Sequence, residues 1–321
     1  MAWLSGYGYR QKVPLKRVDG AVTDYQMLLT VNKGAGDSSG AVIYLKNHAL
    51  SWEGTVPNDL RFTKADGTTL LNYWIESSDA NTAKVWIEFD SIGTTDTDFY
   101  VYYGKSGDTT TSDGDATFLF HDHFPGDSID TNKWEGDTAN TTVADSILTI
   151  VPGGSVEKQV RHKTDTYTYK AWRARATFLD ATVQERIYFA DNYLADMANA
   201  AGFYTGAASG YRRRIDTCKA GYWTLFADQA AFILGSYAIF DCRWSADRVE
   251  FVVDGVVCAN SPITTNVPTI ALQLYLSAHT GNNLLVDWIF TKNYAYPEPT
   301  WGTWGSEESA GFPHSTGFTI G

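Results

Sequence analysis

Apolar residues recur at every second position along most of this chain, in short runs cut by Gly, Asp, Asn and Thr. Val85-Trp-Ile-Glu-Phe89 and Phe99-Tyr-Val-Tyr-Tyr103 show the pattern, and Tyr9 to Val18 and Tyr25 to Val31 repeat it on either side of the turn-former Asp19-Gly20. An alternating side chain matches a pleated strand with one face buried, not a helix with its 3.6-residue repeat. Asp66-Gly67 joins Leu60–Thr63 to a strand from Leu70 to Glu76, so the first hundred residues read as a small all-β unit. Further on, Ile147 to Val151, Ser155 to Arg161, Tyr167 to Phe178, Thr182 to Ala190, Tyr211 to Ile215, Ala238 to Trp244, Val249 to Val253, Ile270 to Ser277 and Leu284 to Phe290 continue the series. That many strands between turn signals predicts a sandwich. Only Ala190 to Ala201 carries helix-forming content, enough for one short turn or a loop.

The stretch Gly104 to Asp115 holds almost nothing that can be buried and reads as a linker. The expected organisation is residues 1–104 as a small β-sandwich, 105–116 as linker, 117–296 as a jelly-roll sandwich, and 297–321 as a short extended tail or docking arm. In that tail, Trp301, Trp304, Phe312 and Phe318, spaced by Gly and Pro, are the candidate oligomer contacts.

Composition narrows the partners. The 321 residues carry 25 Lys+Arg against 37 Asp+Glu, a formal charge of −12. Nucleic acid is therefore an unsuitable partner, because phosphate binding needs a clustered basic face. No apolar run reaches the roughly 18 residues of a membrane-spanning helix. Met1 to Arg10 lacks a basic start followed by an apolar core, so an extracellular role implies lysis, assembly into a particle, or an export signal outside this chain. The three cysteines, Cys218, Cys242 and Cys258, allow at most one bridge. Small buried thiols are the plainer reading, and whether Cys242 and Cys258 face each other is open.

Trp3-Leu-Ser-Gly-Tyr-Gly-Tyr-Arg10, Asp59 to Glu76 and Tyr100-Val-Tyr-Tyr-Gly104 together resemble the DUF2341 family, a β-rich module without an assigned activity found in secreted, surface and phage proteins. Phe120-His-Asp-His-Phe124, Ile129 to Trp134, Trp244-Ser245, Phe251-Val-Val-Asp-Gly255 and Val286-Asp-Trp-Ile289 resemble a concanavalin A-like lectin/glucanase domain, similar to laminin-G-like domains. The second resemblance implies a jelly roll of two antiparallel sheets, a fold that serves both sugar binding and glycoside hydrolysis. It also implies an ion between the first and last strands, with Asp122 and Asp287 as the candidate ligands of a structural Ca²⁺. No other cofactor is expected.

Catalytic patterns are sparse. Retaining hydrolases of that fold need two carboxylates about 5 Å apart on one strand face, written Glu-x-Asp-x-Glu or with one residue inserted. No such run occurs: Glu88-Phe-Asp90 leads into Ser91-Ile-Gly93, and Glu185 has no acid two or four residues on. Gly126-Asp-Ser128 lacks the Asp-x-x-His partner of the lipases that use a similar block. His121 and His123 lie on one strand face and could hold a transition metal given a third ligand.

For sugar binding, the richest local set is Tyr204, Tyr211, Arg213, Asp216, Tyr222 and Trp223, around the one dense basic cluster, Arg212-Arg-Arg214. The competing reading makes Arg212 and Arg214 a solvated strand face and Tyr222 and Trp223 core, since a sandwich has many aromatics to bury. These readings lead to an expected non-enzymatic virion surface protein, a tail, fibre or capsid-decorating component. It would act as a homo-oligomer or with other virion proteins, its lectin-like domain attaching to a glycan or host surface. A cell-surface adhesin or carbohydrate-binding module is the alternative, and a glycoside hydrolase the third. The expected location is the virion surface or the extracellular space.

Overall fold

The computed structural model describes residues 2–46, 52–153, 156–180, 183–192, 197–206, 213–279 and 281–311. The chain divides into two compact units: Met1–Phe118 together with the segment from Pro297, and Leu119–Tyr296. The second unit is thus an insertion in the sequence of the first. Both are built of strands, as the alternation predicts, and no helix among the described residues is long and apolar enough to cross a membrane.

In the first unit one sheet runs Thr300–Trp301, Tyr9–Lys16, Thr97–Tyr103, Arg61–Lys64, and the other runs Val42–Leu45, Val22–Lys33, Thr82–Ile92, Tyr73–Ser78. Inward residues of the two sheets, such as Val13, Leu15, Leu29, Val31, Phe62, Val85 and Ile87, are buried between them. Two expectations change here. The stretch read as a linker is stitched down by polar contacts: Tyr7 Oη donates to Asp108 at 2.6 Å, Arg61 pairs with Asp108 at 3.1 Å, and Thr111 N donates to Tyr73 Oη at 3.0 Å. The segment read as a free tail returns to the first sheet. Trp301 pairs with Leu15 and Ser309 with Tyr9, at opposite ends of one strand. Trp301 lies 5.6 Å from Phe99, and Trp304, buried, donates its indole N–H to the Gly40 carbonyl at 3.0 Å. The two expected oligomer contacts that can be described therefore pack inside their own unit; Phe312 and Phe318 lie outside the described residues.

The second unit is a jelly roll. An eight-stranded sheet follows the order Thr141–Ala144, Ile147–Ile150, Leu284–Asn293, Lys170–Thr177, Ala238–Trp244, Val249–Val253, Val256–Val257, with Phe120–Asp122 also on Leu284–Asn293. A seven-stranded sheet runs Trp134–Gly136, Lys158–His162, Gln273–Ala278, Glu185–Ala190, Ala200–Thr205, Arg213–Lys219, Tyr222–Phe226. Trp134, Trp172, Trp244, Phe203, Phe240 and Phe251 fill the space between them with no exposed surface. All three cysteines are free and buried. Cys242 pairs across strands with Phe251, and the Cys258 N–H bonds the Phe251 carbonyl. The two thiols thus flank Phe251 from opposite sides, and burial pushes the Cys258 thiol up to about 12.

Candidate functional site

Strand register decides what the seven-stranded sheet shows on the face turned away from the core. Ile187, Phe189, Ala201, Phe203, Ile215, Leu274 and Leu276 point inward, so their immediate neighbours point outward. Paired positions then line up as rows across the strands. One row reads Glu135, Arg161, Tyr275, Tyr188, Gly202, Asp216 and spans six strands, about 24 Å at the usual strand spacing. A second, beside it, reads Gln159, Ser277, Arg186, Tyr204, Arg214. A third reads Gln273, Ala190, Ala200, Cys218, Trp223.

These side chains form one connected polar and aromatic network. Tyr188 Oη and Arg214 Nε both donate to Asp216 Oδ2, the latter at 2.7 Å. The Arg214 guanidinium sits 3.7 Å from the centre of the Tyr204 ring, with that of Arg186 5.0 Å from it. Arg186 pairs with Glu157, which also accepts from Ser277 Oγ at 2.7 Å. Arg161 bridges Glu135 at 2.7 Å and Tyr275 Oη at 3.0 Å. Tyr188, Tyr204, Tyr275 and Asp216 are buried, and the three tyrosines form one small cluster with Ala190, Met197, Ala200 and Cys218. Arg161, Glu135 and Trp223 stay partly open, Trp223 at 36 % exposure.

Asp216 is the group whose chemistry is most altered. It has no exposed surface, and its Oδ1 has no hydrogen-bond partner among the described residues. Burial pushes its carboxyl up to about 6, against the pull of Arg214 and the Tyr188 hydrogen bond. The same burial holds the Tyr188 phenol far above its ordinary range. Gly202, between Tyr188 and Asp216 in the row, permits this approach. A Cβ there would stand 1.8 Å from the Tyr188 ring and 2.2 Å from the Ile187 carbonyl oxygen. Gly202→Ala is expected to force the Glu185–Ala190 and Ala200–Thr205 strands apart at a cost of about 3 kcal/mol, read as a lower denaturation midpoint. An unchanged midpoint would remove Gly202 from this account.

The sequence-predicted residues divide clearly. Tyr204 and Asp216 lie in the network and Trp223 on the same face at its edge. Arg213 points the other way, donating to the Phe232 carbonyl at 2.9 Å. Tyr222 sits on the edge strand at 73 % exposure, so the reading that made it core is corrected. Arg214, read as a solvated face, is instead largely buried against Asp216. Tyr211 lies outside the described residues. Sequence reasoning did not single out Arg161, Arg186, Tyr188 and Tyr275, although Arg186 and Tyr188 alternate with Ile187 and Phe189 and so declared their face.

The proposed calcium ligands have separate partners. Asp122 turns into the core, accepting the Trp134 indole N–H and the Phe124 N–H, both at 2.7 Å. Asp287 is the extra residue of a bulge opposite Arg175 and pairs with that arginine. His121 and His123 stack at 5.3 Å between ring centres. Among the described residues no three His, Cys, Asp or Glu side chains converge as a metal site.

The family described as "Domain of unknown function (DUF2341)" matches residues 56–137. The match starts later than the Trp3–Arg10 motif and runs into the second unit. A search of curated proteins returns no match. Among solved structures, a prokaryotic β-1,3-1,4-glucanase (lichenase) derived from a mouse hindgut metagenome is similar at 13 % identity, covering 55 % of this chain and 99 % of that one, with a TM-score of 0.41. The endo-β-1,3-glucanase of Pyrococcus furiosus is similar at 10 % identity, covering 56 % and 94 %, with a TM-score of 0.44. An immunostimulatory antigen and pseudo β-1,3-glucanase of Mycobacterium tuberculosis is similar at 15 % identity, covering 56 % and 99 %, with a TM-score of 0.43.

The jelly-roll expectation agrees with the two packed antiparallel sheets of the second unit. The expected function changes. The reading as a non-enzymatic virion surface protein is corrected: the solved structures that this chain resembles bear the names of glucanases, and the expectation of no enzymatic activity is withdrawn with it.

Proposed function

We propose that the second unit holds a glucan-class polysaccharide across the outer face of its seven-stranded sheet. The observation that carries this reading is the row from Glu135 to Asp216 with its neighbours. The buried tyrosines and Asp216 stiffen the sheet, while Arg161, Glu135 and Trp223 stay open on its face, planar groups of the kind that bind pyranose faces and hydroxyls. Trp223 and Arg161 are its open contact points, and Asp216, with no exposed surface, holds Tyr188 and Arg214 in place. Glu135 and Glu157 are the other carboxylates of the face.

The test is calorimetric titration with a soluble β-1,3-glucan and a mixed-linkage β-1,3-1,4-glucan, alongside assay of released reducing ends. Binding is expected to weaken at least tenfold in Trp223→Ala and in Arg161→Ala. Asp216→Asn, at a buried position, is expected to keep binding. Binding unaltered by both contact variants would move the site elsewhere, and neither binding nor release with either glucan would overturn the reading.

A further inference from the structure

The tyrosines of the outer sheet face are covered, and part of the cover is a single side chain from outside the sheet. Tyr188, Tyr204 and Tyr275 point away from the core, yet they are 0, 2 and 1 % exposed. Arg214 and Arg186 lie over Tyr204, and the Arg161 guanidinium stands 5.9 Å from the centre of the Tyr275 ring. Around Tyr188 the cover is apolar. Its cluster includes Ala190, Ala200, Cys218 and Met197, and of the cluster's members only Met197 lies outside a strand, in the connection between Glu185–Ala190 and Ala200–Thr205.

The backbone next to Met197 is fixed. Ala198 N donates to Asp191 Oδ1 at 3.1 Å, the Ala198 carbonyl accepts from Gly221 N at 2.8 Å, and the Asn199 side-chain amide donates to Asp191 Oδ2 at 2.8 Å. Methionine itself is unbranched and flexible, and its thioether packs adaptably against aromatic rings. Uncovering Tyr188 therefore takes the rotation of one side chain and no movement of the backbone. The ground beneath Met197 adjoins an open contact point of the face, because Ala190, Ala200, Cys218 and Trp223 form one row across neighbouring strands.

We propose that Met197 is an autoinhibitory contact: it occupies the place beside Trp223 where a sugar ring packs, and a glucan chain displaces it to reach Tyr188. This rests on the glucan reading of the face and adds to it a competitor carried by the chain itself. A sugar unit stacked on Trp223 sets its neighbours over Cys218 and Ala200, and affinity is lowered by the fraction of molecules in which Met197 covers that ground.

The test uses the full chain, ¹³C-labelled at the methionine methyls, and a soluble mixed-linkage β-1,3-1,4-glucan. The chain has three methionines, and Met27, buried in the first unit, serves as the internal reference. On addition of the glucan the Met197 methyl signal is expected to sharpen and move to the position of a solvated methionine, with Met27 unmoved. By calorimetric titration Met197→Ala is expected to bind at least fivefold tighter than the wild type, and Met197→Leu, which keeps the apolar cover, within twofold of it. A purely structural Met197 gives the opposite sign, weaker binding in Met197→Ala. Equal or weaker binding in Met197→Ala, with a wild type that does bind the glucan, overturns the autoinhibitory contact and leaves the glucan reading standing. Binding by neither protein overturns both.

Discussion

A chain ended at Tyr296 is expected to lose the fold of its first unit while the second unfolds as before. The segment from Pro297 to Ser309 contributes two strand pairings to Tyr9–Lys16, and it also supplies partners for buried groups. Arg10, 5 % exposed and lying 4.3 Å from the ring centres of both Trp3 and Tyr100, pairs with Glu308 at 2.6 Å. Arg17 Nε donates to the Pro297 carbonyl at 2.9 Å and Tyr25 Oη to Glu298 at 2.9 Å. Glu308 is itself exposed, so losing its ion pair costs about 1 kcal/mol, whereas deleting a packed Trp costs ~3–5 kcal/mol. With Trp301, Trp304 and Glu308 all gone, the loss reaches the roughly 5–15 kcal/mol that stabilises an ordinary domain. Calorimetry should show two transitions in the full chain and only the second unit's in the truncated one. Trp304→Ala alone should lower the first unit's stability by about 3 kcal/mol. Two unchanged transitions after truncation would show that the returning segment is dispensable.

That segment also shows where sequence reading stops. Its strands are two residues long, too short for any periodicity, and Ser309 pairs with Tyr9 from the far end of the chain. Nothing local in Trp301 or Trp304 announces this; they read as aromatics in a Gly-rich tail. The Gly104–Asp115 stretch misled for a related reason. Its polar residues look unburiable, yet Asp108 and Thr111 are fixed by Tyr7, Arg61 and Tyr73 from distant strands.

Long alternating strands were legible because one period sets both faces: Ile187 and Phe189 inward fix Arg186 and Tyr188 outward. Ala200–Thr205 was not, since all six residues are buried. Phe203 goes to the core while Ala200 and Tyr204 lie in the outer cluster with Met197, so alternation vanishes and the Ala content suggests a helix. The site suffered twice over. Asp216 and Tyr204 were visible beside the arginine cluster, but Arg161, Tyr188 and Tyr275 join them only through pairing between strands remote in sequence.

Two buried carboxyls make the second unit's stability fall as pH rises through the acid range. Glu185 has no exposed surface, and burial pushes it from its ordinary 4.5 up to about 7. Hydrogen bonds from Leu179 N, at 3.0 and 3.1 Å, and from Thr205 Oγ1, at 3.2 Å, offset only part of that, and Asp180 adds a like charge. Asp216 moves the same way, from 3.8 to about 6. Below pH about 3 both groups are largely protonated in the folded and unfolded states alike, and neither discriminates between them. As pH rises the unfolded chain releases each proton first, while the folded unit keeps it until about 6 at Asp216 and about 7 at Glu185. The folded state therefore binds more protons across this window, and stability declines with pH, by about 3 kcal/mol for each group.

Denaturant unfolding of the second unit at pH 4, 5.5 and 7.5 should show that decline. Glu185→Gln keeps an acceptor for the Leu179 N–H without the charge and should cancel its upper part. Asp216→Asn should cancel the lower part while leaving Arg214 short of its carboxylate, so this variant should be the less stable of the two near pH 4. A wild-type stability that instead climbs between pH 4 and 7 would mean that both carboxyls ionise readily in place.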